Sequence, residues 1–199
     1  MKQRRDRRDR RNKRNRDRDY HREPKQVKKR NKISDHFSRK DFYCNSGLDT
    51  NNNSFRISAG LIGALEMLRT ATGTRINIVK GFECTESAEK KGKVRRNYHV
   101  QGLAANITAD EMSLESLFKA AEDIPEIMGI GLNLDEQYVH IRTNKAEVRE
   151  MWVIINKEEH ELDEARYKTY IGNAEKPTPK KQEKKEEKQE PQSVENDDD

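Results

Sequence analysis

The sequence predicts an α+β domain with an antiparallel sheet and helices on one side, flanked by disordered charged tails. Three observations predict it. Apolar residues recur at helical spacing in two stretches of the middle of the chain. Several short, β-branched-rich runs follow one another there, which is the pattern of strands in series. The ends of the chain are almost devoid of apolar residues. Of the 199 residues 31% are hydrophobic and 39% charged, against roughly 45–50% and 25% in globular domains. Some long segment therefore cannot bury enough apolar surface to offset its ordering entropy. The expected organisation is a disordered basic arm over residues 1–33, a folded domain over 34–173 and a disordered charged tail over 174–199.

Within the domain, residues 41–53 are polar, with Asn-rich turn signals near Asn51. Ile57, Leu61, Ile62, Leu65 and Leu68 then recur at helical spacing up to Gly73, so 57–72 reads as an amphipathic helix. Residues 75–79 alternate and form a strand ended by Gly81, and 84–97 reads as a charged loop. Residues 103–107 are a short buried strand. Ser113 and the residues before it offer caps for a helix over 114–123, closed by Pro125. Residues 128–132, 138–141 and 151–155 are three further strands, the last two fitting a hairpin joined through 143–147. Trp152 reads as strand packing, and residues 157–159 as a turn or solvated face.

The charge is uneven. Residues 1–32 hold 17 Lys/Arg against 5 Asp/Glu, a net of +12, whereas residues 175–199 carry a net of -3 and the middle -4. Like charges repel in the arm, and Tyr20 is its only aromatic residue, so it cannot build a core. Such an arm would attract a polyanion such as nucleic acid without stacking on or reading bases. The mean hydropathy of -1.23 excludes a membrane-spanning helix, which needs about 20 apolar residues. No apolar stretch follows the first basic residues as in a secretory signal, so the expected location is cytoplasmic or phage-associated. On that argument Cys44 and Cys84 are expected to be reduced, and the absence of any CxxC pair excludes a cysteine-rich zinc site.

Two of the five histidines sit in suggestive settings. His99 opens H-x-x-G-x-A-x-N with Gly102, Ala104 and Asn106, and His140 lies inside an apolar strand. A neutral imidazole at such a place is a ready zinc ligand. The alternative is that each is a half-buried, hydrogen-bonded histidine.

The segment His36-Phe37-Ser38-Arg39-Lys40-Asp41-Phe42-Tyr43-Cys44 resembles the HFS-x-x-E-F-x-C opening of the zinc D-Ala-D-Ala carboxypeptidases and their phage endolysin relatives. The resemblance continues in order through Leu65-x-x-Leu68-Arg69, a strand, Gly81-Phe82, the His99 motif, Tyr138-Val139-His140-Ile141 and Trp152-Val153. It spans residues 34–155, about three fifths of the chain. It implies the fold shared by the D,D-peptidases and the hedgehog signalling domain. It further implies a zinc ion held by His99, Asn106 and His140.

Three positions depart from that family. Asn106 stands where the family has aspartate, and an amide is a poorer zinc ligand than a carboxylate. Gln137 stands at the position of the general-base glutamate and has no proton to exchange near neutral pH. Asp135 and Glu136 are adjacent substitutes. Glu83 replaces the arginine that meets the substrate carboxylate or the developing oxyanion, leaving Arg95 or Arg96 to supply the cation. Loss of a base costs roughly 10²- to 10⁴-fold and loss of an oxyanion clamp roughly 10²- to 10³-fold. The expectation is a degenerate, non-catalytic carboxypeptidase-like domain with zinc weakened or lost, acting as a peptide- or cell-wall-binding or scaffold module. The alternatives are an active zinc peptidase that cleaves peptidoglycan stem peptides, and a polyanion-binding protein that acts through residues 1–32.

Overall fold

The computed structural model describes residues 31–49, 53–92 and 97–175. The greater part of the basic arm, the tail from residue 176, and Arg95 and Arg96 lie outside the described residues.

A 3-10 turn at Arg39–Phe42 opens the domain. The carboxylate of Asp41 accepts the backbone N–H of Ser38 at 2.7 Å, which ties off the first turn, and Phe42 is fully buried. Helix α1 (Ala59–Thr72) starts where the Ser58 hydroxyl accepts the N–H of Gly60 and stops at Gly73, left-handed with φ 63°. Its buried residues include the periodic positions Leu61, Ile62, Leu65 and Leu68, with Ala64 beside them, while Ile57 lies just before the helix. Strand β1 (Ile76–Lys80) follows, then a short helix α2 (Thr85–Lys90). A loop was the expectation at α2. Its sequence TESAEK hides the helix because only Ser87 and Ala88 are buried, too few to mark an apolar face.

Strand β2 (Ala104–Ala109) leads to α3 (Leu114–Glu122), which is capped by Ser113 accepting from the N–H of Ser116. Such a cap contributes about 1 kcal/mol. Strands β3 (Gly129–Asn133), β4 (Tyr138–Arg142), β5 (Glu150–Ile155) and β6 (Glu158–Glu161) precede the final helix α4 (Glu164–Tyr170).

The six strands form one sheet in the order β1-β2-β4-β3-β5-β6. Every pairing is antiparallel except β3 with β5. The expected hairpin between 138–141 and 151–155 does not form. Both edges of β4 are already hydrogen-bonded, to β2 and β3, so β5 must cross to the far side of β3 and run parallel to it. Arg149 anchors this crossover. Its guanidinium donates to the carbonyls of Glu122, Ile124 (2.9 Å) and Ile127 (2.8 Å), at the end of α3 and in the turn that follows it. The hairpin partner of β5 is instead β6, reached through Asn156 and Lys157 at φ 54° and 65°. Residues 157–159, expected as a turn or solvated face, thus divide between that turn and the start of a strand.

Alternation along the strands sorts the sheet into two faces. Ala105, Ile107, Ile130, Leu132, Val139, Ile141 and Val153 join the core with the buried faces of α1 and α3. Helix α3 packs on β2, β3 and β4, and α1 packs on α3 and β1. Helix α4 closes the same side through Tyr167, Tyr170 and neighbouring Ile171. Among the described residues no helix is long and apolar enough to cross a membrane.

Candidate functional site

The opposite face of the sheet is polar, and register builds the site there. Lys80 of β1 pairs with Asn106 of β2, Asn106 with His140 of β4, His140 with Gly131 of β3, and Gly131 with Trp152 of β5. These five residues form one row across the sheet. A neighbouring row runs Ala104, Arg142, Gly129, Glu150. Together with residues 97–99 the rows line a cavity of about 770 Å3.

His99 reaches the row from a turn. The Asn97 side chain accepts the His99 N–H at 3.0 Å, and Gly102, at φ 70°, returns its N–H to the His99 carbonyl. A Cβ on Gly102 would strike the Arg56 carbonyl, so the glycine of the motif is demanded by backbone contact as well as by φ. The His99 ring donates from Nδ1 to the Gly81 carbonyl at 2.7 Å, which leaves the lone pair on Nε2. His140 donates from Nδ1 to Asn106 Oδ1 at 2.8 Å, and the two imidazole centroids stand 5.1 Å apart. Asn106, 6% exposed, is thus the neutral partner of His140, beside the His99 ring. Burial, reinforced by Lys80, lowers His99 to about 4. Burial, with His99, Arg142 and Lys80 behind it, lowers His140 to about 3. Both rings are neutral at physiological pH.

Glu83 is 2% exposed yet ionised. Burial opposes its charge, but hydrogen bonds from Lys91 (2.6 Å), Asn97 (2.9 Å) and Lys80 (2.9 Å) outweigh burial and hold the carboxyl at about 2. The carboxylate is thus the internal counter-ion of two lysines in the cavity wall. Gln137 turns away from the cavity, with φ 56° and its amide donating to the Leu134 carbonyl at 2.6 Å. Asp135 accepts the N–H groups of Asn156 (3.0 Å) and Lys157 (2.7 Å), holding the β5–β6 turn. Of the acidic pair only Glu136 lines the cavity. The structure therefore brings His99, Asn106, His140, Glu83 and Glu136 around one space and leaves Asp135 and Gln137 outside it.

Sequence reasoning missed Arg142; Trp152, expected as strand packing, packs over Gly131 on the cavity face. The Arg142 guanidinium is stacked between Tyr98 (4.7 Å to the ring centroid) and Trp152 (5.2 Å) and pairs with Glu150. Alternation from His140 places Tyr138 and Arg142 on its face, a signal available in the sequence. Trp152 could be placed there only once the register with β3 was known. Two glycines make the room: a Cβ on Gly129 would meet Arg142, and one on Gly131 would meet the indole of Trp152. Gly131→Ala is expected to cost about 1–3 kcal/mol and push the indole outward. Trp152 is the only tryptophan, so a red-shifted emission reports the displacement; unchanged emission counts against this packing.

The domain is thus a helix-backed sheet with a paired-histidine cavity on its open face. The model of the Peptidase M15 family matches residues 23–142, and the chain belongs to that family. The match makes it a domain of the zinc D-Ala-D-Ala carboxypeptidase type, in agreement with the resemblance in its motifs. No curated protein matches the chain.

The family is typically zinc-dependent, but the donor set does not fit the ion well. The residues at the expected place are two imidazoles and one amide. Among the described residues no three His, Cys, Asp or Glu side chains gather as a metal-holding group. The Asn106 oxygen is occupied by the His140 N–H. Without a carboxylate nothing in this set offsets the charge of a divalent cation, and Lys80 and Arg142 beside it add repulsion.

Proposed function

We propose that this domain is a non-catalytic member of its family that binds a peptide, of the cell-wall stem type, in the cavity on the open face of the sheet. The observation that carries the reading is the amide itself: Asn106 holds the neutral His140, beside the neutral His99, where a metal centre would need a carboxylate. Gln137 at the base position and the lysine-locked Glu83 argue the same way. What remains suits recognition. Lys80 and Lys91, held on Glu83 but 37% and 55% exposed, present their remaining N–H donors to a terminal carboxylate, and Tyr98 and Trp152 offer apolar surface around Arg142, whose charge is met by Glu150.

The test uses the full chain with a stem peptide ending in D-Ala-D-Ala. Calorimetry is expected to show binding that the peptide amide weakens, with far less than one zinc per chain and no release of D-Ala. One tightly held zinc per chain together with turnover would overturn the reading in favour of a working zinc peptidase, with Glu136, which lines the cavity, as the candidate base. In that event His99→Ala abolishes the release.

A further inference from the structure

Outside the cavity, the domain holds a second group of reactive side chains. Cys44 and Cys84, forty positions apart in sequence, place their sulfurs 3.5 Å from each other. The Ser46 hydroxyl lies within hydrogen-bonding distance of both, 3.1 Å from Cys44 and 3.4 Å from Cys84. Both are free thiols; Cys44 is partly exposed and Cys84 fully buried at the start of α2. A separate cavity of about 350 Å3 opens beside them, walled by Tyr43, Cys44, Ser46, Phe82 and Lys91.

We propose that Cys44 and Cys84 form a thiol–disulfide exchange site, at which a small-molecule disulfide oxidises the pair to an intramolecular bond. Cys44 attacks first. The Cys44 thiolate takes one sulfur of the small disulfide, the old S–S bond breaks, and one small thiolate leaves and is protonated. The Cys84 thiolate then attacks Cys44 Sγ in the mixed disulfide, and the second small thiolate leaves. The two protons of the cysteines end on the two released thiols. The pair is oxidised and the small disulfide reduced, so atoms and electrons balance.

The order of attack follows from the surroundings. For Cys44 burial works against ionisation, but hydrogen bonds from the Cys84 backbone and from Ser46 outweigh it and lower its pKa. For Cys84 burial dominates and raises the pKa. The more exposed and more acidic thiol is the one that meets the oxidant. The buried thiol resolves the mixed disulfide because its partner sulfur is already in contact, and closing to the bonded length of about 2 Å needs only a small approach. The bond would tie the loop after the 3-10 turn to the corner beside Glu83, and so to the lysine-lined wall of the peptide cavity.

The full chain, reduced and then incubated with oxidised glutathione, is alkylated with iodoacetamide and weighed by mass spectrometry. The expected product has lost the mass of two hydrogens, carries no alkyl group on either cysteine and yields a linked Cys44–Cys84 peptide. Its Tm rises by roughly 10 °C and returns with dithiothreitol. Cys84→Ser is expected to trap a glutathione adduct on Cys44. A wild-type chain whose two thiols are both alkylated after this treatment, or which links only to a second copy, would overturn the proposal, and neither result depends on a variant folding.

Discussion

Asn106→Asp should turn a poor donor set into a zinc site. The variant places a carboxylate between His99 and His140, on the oxygen that now accepts the His140 N–H at 2.8 Å. Loss of an outer-shell partner already costs about 10–100-fold in metal affinity, so gain of a charged ligand in direct contact should exceed about 100-fold. Titration against a chelating dye checks it. Equal zinc affinity in wild type and variant would show that the amide is not what weakens the site. Hydrolysis should stay at background in the single variant, because Gln137 still donates to the Leu134 carbonyl and supplies no base.

Glu83→Gln should be the most destabilising of the polar changes in the cavity wall. The carboxylate is buried, and Lys80 and Lys91 on it are 37% and 55% exposed, so the lysines can return to water while the site loses two charge-assisted bonds. A carboxyl held at about 2 against an ordinary 4.5 corresponds to about 3 kcal/mol of stability. The folded-state value is depressed, so this stability is fully present above pH 4.5 and is lost as pH falls toward 2. Urea unfolding should therefore give a wild-type-minus-variant difference of about 3 kcal/mol at pH 7 that shrinks toward zero near pH 2. His99 and His140, also depressed, add acid sensitivity below about pH 6.5 to both proteins; Glu83 favours the charged His99 ring, so its loss makes the variant the more acid-sensitive through His99, while the His140 share cancels in the difference. A difference independent of pH would show that Glu83 acts by packing and not by charge.

The helices and strands with a clear period were legible. Leu61, Leu65 and Leu68 mark α1, and the alternating Tyr138, Val139, His140, Ile141 mark β4, because burial on one side of an element imposes its repeat on the chain. Helix α2 was not legible, since Ser87 and Ala88 are a weak signal among charged residues. Strand β6 reads EEHE and lies at the sheet edge, paired only with β5, so its fourfold polarity concealed it.

The candidate site divides in the same way. His99, Asn106, His140, Glu83 and Gln137 could be named through the family resemblance of their motifs, and their chemistry, amides at Asn106 and Gln137 where acids were expected and an acid at Glu83 where a cation was, is a property of the residues alone. Arg142 needed the alternation of β4. Trp152 needed more, because its neighbour His140 is reached only across Gly131. Similarly, nothing in the spacing of Cys44 and Cys84 indicates sulfurs 3.5 Å apart.

The amino-acid sequence by itself determined the kind of each element that has a clear period, and the ionisable groups each side chain brings, since both are local properties. Only the tertiary structure decided which strands are neighbours. A saturated strand such as β4 forces the next one to pair elsewhere, and that choice, made by hydrogen bonds between distant segments, aligned Lys80, Asn106, His140, Gly131 and Trp152 in one row.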